Sequence, residues 1–146
     1  MGLDMYLELN RHVSKYSGDD EETIEAIKTL GGRDLEPSSI TYRAAYWRKA
    51  NQIHKWFVDN IQCGNDDCGR YYVSRDDLQN LINVCKEVQA DYSKVGKLLP
   101  PSEGFFFGSQ DIDSGYWHDI LITIEQLEKA LKVSTGHDYF EYHASW

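Results

Sequence analysis

The chain is short of positive charge: 15 Lys and Arg residues stand against 24 Asp and Glu, a formal net charge of −9 over 146 residues. That balance excludes a protein held on nucleic acid by a general basic field, because binding a phosphate backbone needs cations that displace counterions. Long hydrophobic runs are also missing. The run Phe105 to Phe107 is far shorter than the roughly 20 residues of a membrane-spanning helix. The opening MGLDMYLELN has no basic region and no apolar stretch ahead of a small-residue cleavage site, so no secretory signal is expected. Tyr6 stands where a myristoylation signal carries Ser or Thr. Cysteine is sparse and odd in number, Cys63, Cys68 and Cys85, which points to free thiols in a reducing cytoplasm. Cys63 and Cys68 can be drawn with His54 and Asp66 as metal ligands. However, the spacing is not C-x2-C and no second ligand pair follows, so neither a structural metal nor another cofactor is expected. Catalytic signatures are absent too: there is no G-x-S-x-G, H-E-x-x-H, Walker loop or dinucleotide-binding glycine fingerprint.

What is present is a chain of one-domain length, 41% hydrophobic, able to bury a core without disulfides or metals. Leu3, Met5, Leu7 and Leu9 alternate with polar residues as a half-buried strand does. Asp19 or Asp20 can cap a short helix carrying Ile24, Ile27 and Leu30, stopped by Gly31-Gly32. Residues 33–41 read as a connection or short edge strand, and 42–61 as a long helix. A short Tyr-rich strand is expected at 70–73. Ser74 with Asp77 then opens a helix bearing Leu78, Leu81, Ile82, Cys85 and Val88 on one face. After Pro100-Pro101, GFFFGS reads as a buried strand with at least two of Phe105, Phe106 and Phe107 inside. A third helix carries Trp117, Ile120, Leu121, Ile124, Leu127 and Leu131. An alternating strand closes the chain, with Phe140, Tyr142, Ala144 and Trp146 facing one way. Strands at both ends with helices between them give an α+β fold: one mixed or mostly antiparallel sheet covered by two or three helices, in a single domain over 1–146.

Chemistry concentrates between Tyr42 and Cys68. Wrapping the expected helix at about 100° per residue places Tyr46, Trp47, Ala50, Ile53, His54, Phe57, Val58 and Ile61 on one face. Arg48, Gln52, Lys55 and Asp59 fall on the other. His54 thus lies in an apolar stripe beside Trp47, with Asn51 at its edge. Two readings stand: a recognition pocket, or a core histidine whose nitrogens are satisfied by protein. Arg43, Arg48, Lys49 and Lys55 form a local basic patch, either a solvated face or a small anion site. Asp66 and Asp67 offer carboxylates or simply a polar turn. Ser109, ahead of a helix start, can face an anion.

The GLDMYL start, YWRKANQIHKWFV, the QCGNDDC turn, LLPPSEGFFFGS and the terminal Ser145-Trp146 together resemble a family of small uncharacterised proteins of bacteriophages and bacterial genomes. The resemblance covers nearly the whole chain outside residues 10–40. It implies a phage or prophage product made in a bacterial cytoplasm and implies no activity. Ala144 departs from the usual serine, and QDIDSGYW departs from an Asp-Tyr-rich loop.

The leading expectation is a binder, rather than an enzyme, of a nucleotide-like small molecule. Its site is built from Trp47, Arg48, Asn51, His54, Asp66, Asp67 and Ser109, and in a phage setting it would sequester a host defence signal. The alternative is an acidic inhibitor of a host protein, in keeping with the net charge. A small hydrolase or transferase using His54 with Asp66 or Asp67 is the third. Direct nucleic-acid and membrane partners are not expected; a homo-oligomer is compatible with every reading.

Overall fold

The period-two pattern at the start of the chain becomes β1 (Asp4–His12), with Leu3, Met5, Leu7 and Leu9 buried. A computed structural model describes residues 2–104 and 106–146. β1 pairs antiparallel with β2 (Ser39–Arg48) on one side and β4 (Asp138–Ser145) on the other. The short β3 (Tyr71–Val73) joins the far edge of β4, giving the order β2-β1-β4-β3. First and last strands are therefore central neighbours. Phe140, Tyr142 and Ala144 point inward as the alternation predicts, while Trp146 is 47% exposed. Among the described residues the architecture is α+β, with one antiparallel sheet.

The inner face packs on α2 (Asn51–Asn60), α3 (Arg75–Ala90) and α5 (Ser114–Val133), which share one core with the strands. The four-residue α4 (Val95–Leu98) adds Val95 to that core. α1 (Glu21–Gly31) lies outside the core and buries only Ile24. It stops where Gly32 turns left-handed at φ 61°. Asp20 does not cap this helix with its side chain; its carboxylate takes the Ser14 amide and the Arg11 guanidinium instead. Ser74 and Asp77 form a reciprocal capping box at α3. On α5, Ile120, Ile124 and Leu127 are buried, but Leu121 is exposed. None of the described helices is long and apolar enough to cross a membrane.

Two expectations fail. The helix read over 42–61 is a strand up to Arg48 and a helix only from Asn51. Ile40, Thr41, Tyr42, Tyr46 and Trp47 are β-prone, and pairing with β1 outweighs the helical look lent by Ala44 and Ala45. Ala44 is the extra residue where the register shifts between Leu7 and Glu8. GFFFGS is not a strand in its described part. Phe107 donates its amide to the Gly104 carbonyl, the Phe106 carbonyl accepts from the Leu3 amide, and Gly108 turns at φ 87°. These are turn geometries. Phe107 is buried and Phe106 half-buried, while Phe105 lies outside the described residues.

Phe57 is fully buried and stacks on Tyr142 with centroids 3.8 Å apart and planes 6° from parallel, joining α2 to the sheet. Phe57→Ala should cost about 3–5 kcal/mol in urea denaturation. A loss under about 1 kcal/mol would show that this contact does not hold α2 in place.

Candidate functional site

The turn from β2 into α2 is made by Lys49 in the left-handed region, φ 58°. A non-glycine residue held there is costly and needs support from its surroundings. The Lys49 amide donates to the Leu3 carbonyl at 2.7 Å. Two glycines leave its side chain room: a Cβ on Gly2 would stand 3.1 Å from Lys49 Cε, and one on Gly108 3.1 Å from Lys49 Cβ. The elbow leaves Arg48 and Lys49 exposed while the next residues enter the interior.

Three polar side chains enter with them: Asn51, Gln52 and His54, all nearly inaccessible. Buried polar groups require partners. Asn51 donates Nδ2 to the carbonyls of Phe107 (3.1 Å) and Ser109 (2.9 Å), and its Oδ1 accepts the Ser102 amide at 2.9 Å. It clamps Ser102, Phe107 and Ser109 in place, and both of its Nδ2 hydrogens are taken by backbone carbonyls. Gln52 Nε2 reaches Asp119 Oδ2 at 3.3 Å and the Tyr116 carbonyl at 3.5 Å.

His54 bridges two groups. Nδ1 lies 2.7 Å from the Tyr142 hydroxyl and Nε2 lies 3.0 Å from Asp66 Oδ1. Burial pushes the Tyr142 phenol far above its ordinary range, so it keeps its proton. The one arrangement that satisfies every atom has Tyr142 donating to Nδ1 and Nε2–H donating to the carboxylate. Burial lowers the His54 pKa below 6.5, with Asp66 acting in the opposite direction. Protonating Nδ1 would turn an acceptor into a second donor facing the phenol and strand the phenolic proton in the interior. Phe107 packs edge-on against the ring, and the Trp146 indole donates to the same Asp66 oxygen at 3.1 Å. Both nitrogens are therefore engaged by protein, the arrangement expected of a core histidine.

A cleft of about 240 Å³ opens on the other side of the elbow. Arg48, Lys49 and Gln52 form one wall; Ser109, Asp111 and the first turns of α5, with His118 and Asp119, form the other. Asp113 caps α5 by accepting from the Gly115 and Tyr116 amides, which sets a carboxylate at that helix start. Ser109 Oγ accepts the Asp111 amide at 3.0 Å, which leaves its hydroxyl hydrogen free to donate.

The sequence-predicted residues thus divide. Arg48 and Ser109 meet at the cleft; His54 and Asp66 form the buried bridge; Asn51 lies between as a clamp. Trp47 is buried and donates its indole to Thr123 Oγ1 at 2.8 Å, and Asp67 holds the Gly69 amide and the Tyr71 hydroxyl. Gln52 and Asp119 were not among the predicted residues. The wheel puts Gln52 outward because it lies opposite Ile53, His54 and Phe57 on α2; that side is covered as well, by Tyr116 and Asp119 of α5, and nothing in the local sequence announces Asp119.

For His54, the sign of the pH effect follows from its lowered pKa. The unfolded chain binds a proton on this ring more readily than the folded one, so the stability contribution is full above about 6.5 and is lost as pH falls through the folded-state value. Wild type should lose more stability than His54→Gln in that range. Tyr142→Phe, which orphans Nδ1, should cost about 1–3 kcal/mol at neutral pH. Parallel melts of wild type and His54→Gln below pH 6.5 would contradict the assigned protonation state. Comparison of the chain with family models, with curated proteins and with solved structures finds no match in any of the three.

Proposed function

We propose that the protein is a non-enzymatic binder of a small phosphorylated, nucleotide-like molecule, held in the cleft between the Arg48–Lys49 elbow and the start of α5. The observation that carries this reading is the elbow itself. A left-handed lysine, given room by two glycines, sets two cations at the mouth of a cleft on a protein of net charge −9. Neither cation is paired: every ion pair among the described residues uses other basic side chains. Local backbone cost gathered where charge is presented is typical of binding sites. The Ser109 hydroxyl supplies a neutral donor on the opposite wall.

Size limits the ligand. The cleft, about 240 Å³, is smaller than the roughly 300–1,000 Å³ of drug-sized sites. It accommodates a phosphate and one sugar, with a base or further nucleotide units extending outward. Turnover has little support: among the described residues Ser109 Oγ donates to no basic side chain, and His54 is committed to Tyr142 and Asp66. In a phage-derived protein of the bacterial cytoplasm, the setting the sequence resemblance implies, such a binder would withdraw a nucleotide signal from a host defence system. The second reading, an acidic inhibitor of a host protein, draws on the net charge and leaves the cleft without a role.

Titration calorimetry with adenosine 5′-monophosphate at low salt tests the choice. Binding should be measurable, weaken as salt rises, and fall about tenfold or more in Arg48→Ala and in Lys49→Gly, the latter chosen because glycine accepts the left-handed backbone. His54→Gln should bind as wild type does once its stability is allowed for. No heat with wild type, or unchanged affinity in both elbow variants, would remove this reading and leave the inhibitor.

A further inference from the structure

Asp119 lines the same cleft from the second turn of α5, and half of its carboxylate is unused. Gln52, only 3% exposed, holds Oδ2 through its amide nitrogen, while no group among the described residues donates to Oδ1. A carboxylate only accepts, so the Gln52 amide has one sensible orientation, nitrogen toward Asp119. The residue is also anchored from behind. Its backbone carbonyl accepts the Thr123 hydroxyl at 2.6 Å, and that hydroxyl oxygen accepts the buried Trp47 indole. Burial raises the Asp119 pKa, opposed by the Gln52 hydrogen bond. A half-buried carboxylate with one free oxygen gains from a further donor.

We infer that Asp119, positioned by Gln52, determines specificity for a ribosyl phosphate: the phosphate sits at Arg48 and Lys49, and the sugar's vicinal hydroxyls donate to Asp119. This rests on the proposed nucleotide-binding reading and narrows it to ligands with an intact diol. The lining carries both signs, Arg48 and Lys49 on the elbow wall and Asp111, Asp113 and Asp119 on the other, so a ligand held at the elbow by its phosphate meets Asp119 best with neutral hydroxyl donors. The two ends also differ in kind. Cations at the elbow and an acceptor on α5 ask for a molecule with an anion at one end and hydroxyl donors at the other.

Calorimetry on the full chain with three probes tests the inference: adenosine 5′-monophosphate, its 2′,3′-dideoxy analogue and inorganic phosphate. The ribonucleotide should bind at least about tenfold more tightly than the dideoxy compound, the effect of losing hydrogen bonds to a charged acceptor. In Asp119→Asn the ribonucleotide should fall toward the dideoxy level while the dideoxy compound is little changed. The ligand comparison on wild type needs no variant, so a poorly folded Asp119→Asn would not spare the inference. Equal affinity of the two nucleotides for wild type would overturn it and leave the phosphate site standing. Binding of none of the three probes would overturn both.

Discussion

One constraint governs the middle of the molecule: the first turn of α2 buries an asparagine, a glutamine and a histidine within four residues. Each carries hydrogen-bonding capacity that cannot be left unmet in an interior without a cost of about 1–3 kcal/mol per group. The fold answers with a different partner for each. Asn51 takes the 102–109 segment, Gln52 takes the second turn of α5, and His54 takes the last strand and the 61–69 loop. A ten-residue helix thereby ties together an irregular segment, the start of α5, and the last strand with the loop that follows α2. This explains why the segment after Pro100-Pro101 docks in one place although it forms no strand among its described residues.

In the proposed binding mode, the same division would separate packing from recognition. His54 looks like a site residue by type, but its nitrogens are spent on Tyr142 and Asp66. Asn51 is spent on backbone. At the Gln52 end, hydrogen-bonding capacity remains on Asp119 Oδ1, beside the exposed Arg48 and Lys49 of the elbow. The acidity of the whole chain and the basic elbow are compatible. A net charge of −9 disfavours long polyanions, while a phosphate seated between Arg48 and Lys49 responds to the local field. The sheet face away from the helices carries a cross-strand row of Tyr46, Tyr6 and His143, with Arg43 over both tyrosine rings. That row is held together by its own contacts.

Much of the fold was legible because its signals are periodic. The alternation of Leu3 to Leu9 and of Phe140 to Ala144 marks the two central strands, and the Ser74–Asp77 cap marks the start of α3. What misled was Tyr42 to Arg48. Its spacing fits a helical wheel, yet its residue types prefer a strand, and the break at Lys49 has no glycine or proline to announce it. Phasing the wheel through that break put Trp47 beside His54. Gln52 lies opposite Ile53, His54 and Phe57 within α2 itself, and its burial comes from α5 covering that second side. The phenylalanine run misled in the other direction: an apolar tripeptide between glycines can be a strand or a packed turn, and Gly108 decides for the turn. Arg48 and Ser109, which stand out in the sequence by charge and by position before a helix, line one cleft. Asp119 became visible only when α5 brought it opposite Gln52, a contact between residues 67 positions apart that no local pattern encodes.

The central claim is that recognition lies on the elbow side of α2 and packing on the His54 side. Amide chemical-shift mapping by NMR, with adenosine 5′-monophosphate added to the labelled full chain, tests it most directly. Saturable shifts should appear at Arg48, Lys49, Gln52, Ser109 and Asp119, with the His54 amide and the Trp146 indole unmoved. Shifts centred instead on His54, Asp66 and Trp146 would contradict the account and place the ligand where the structure has only a satisfied histidine.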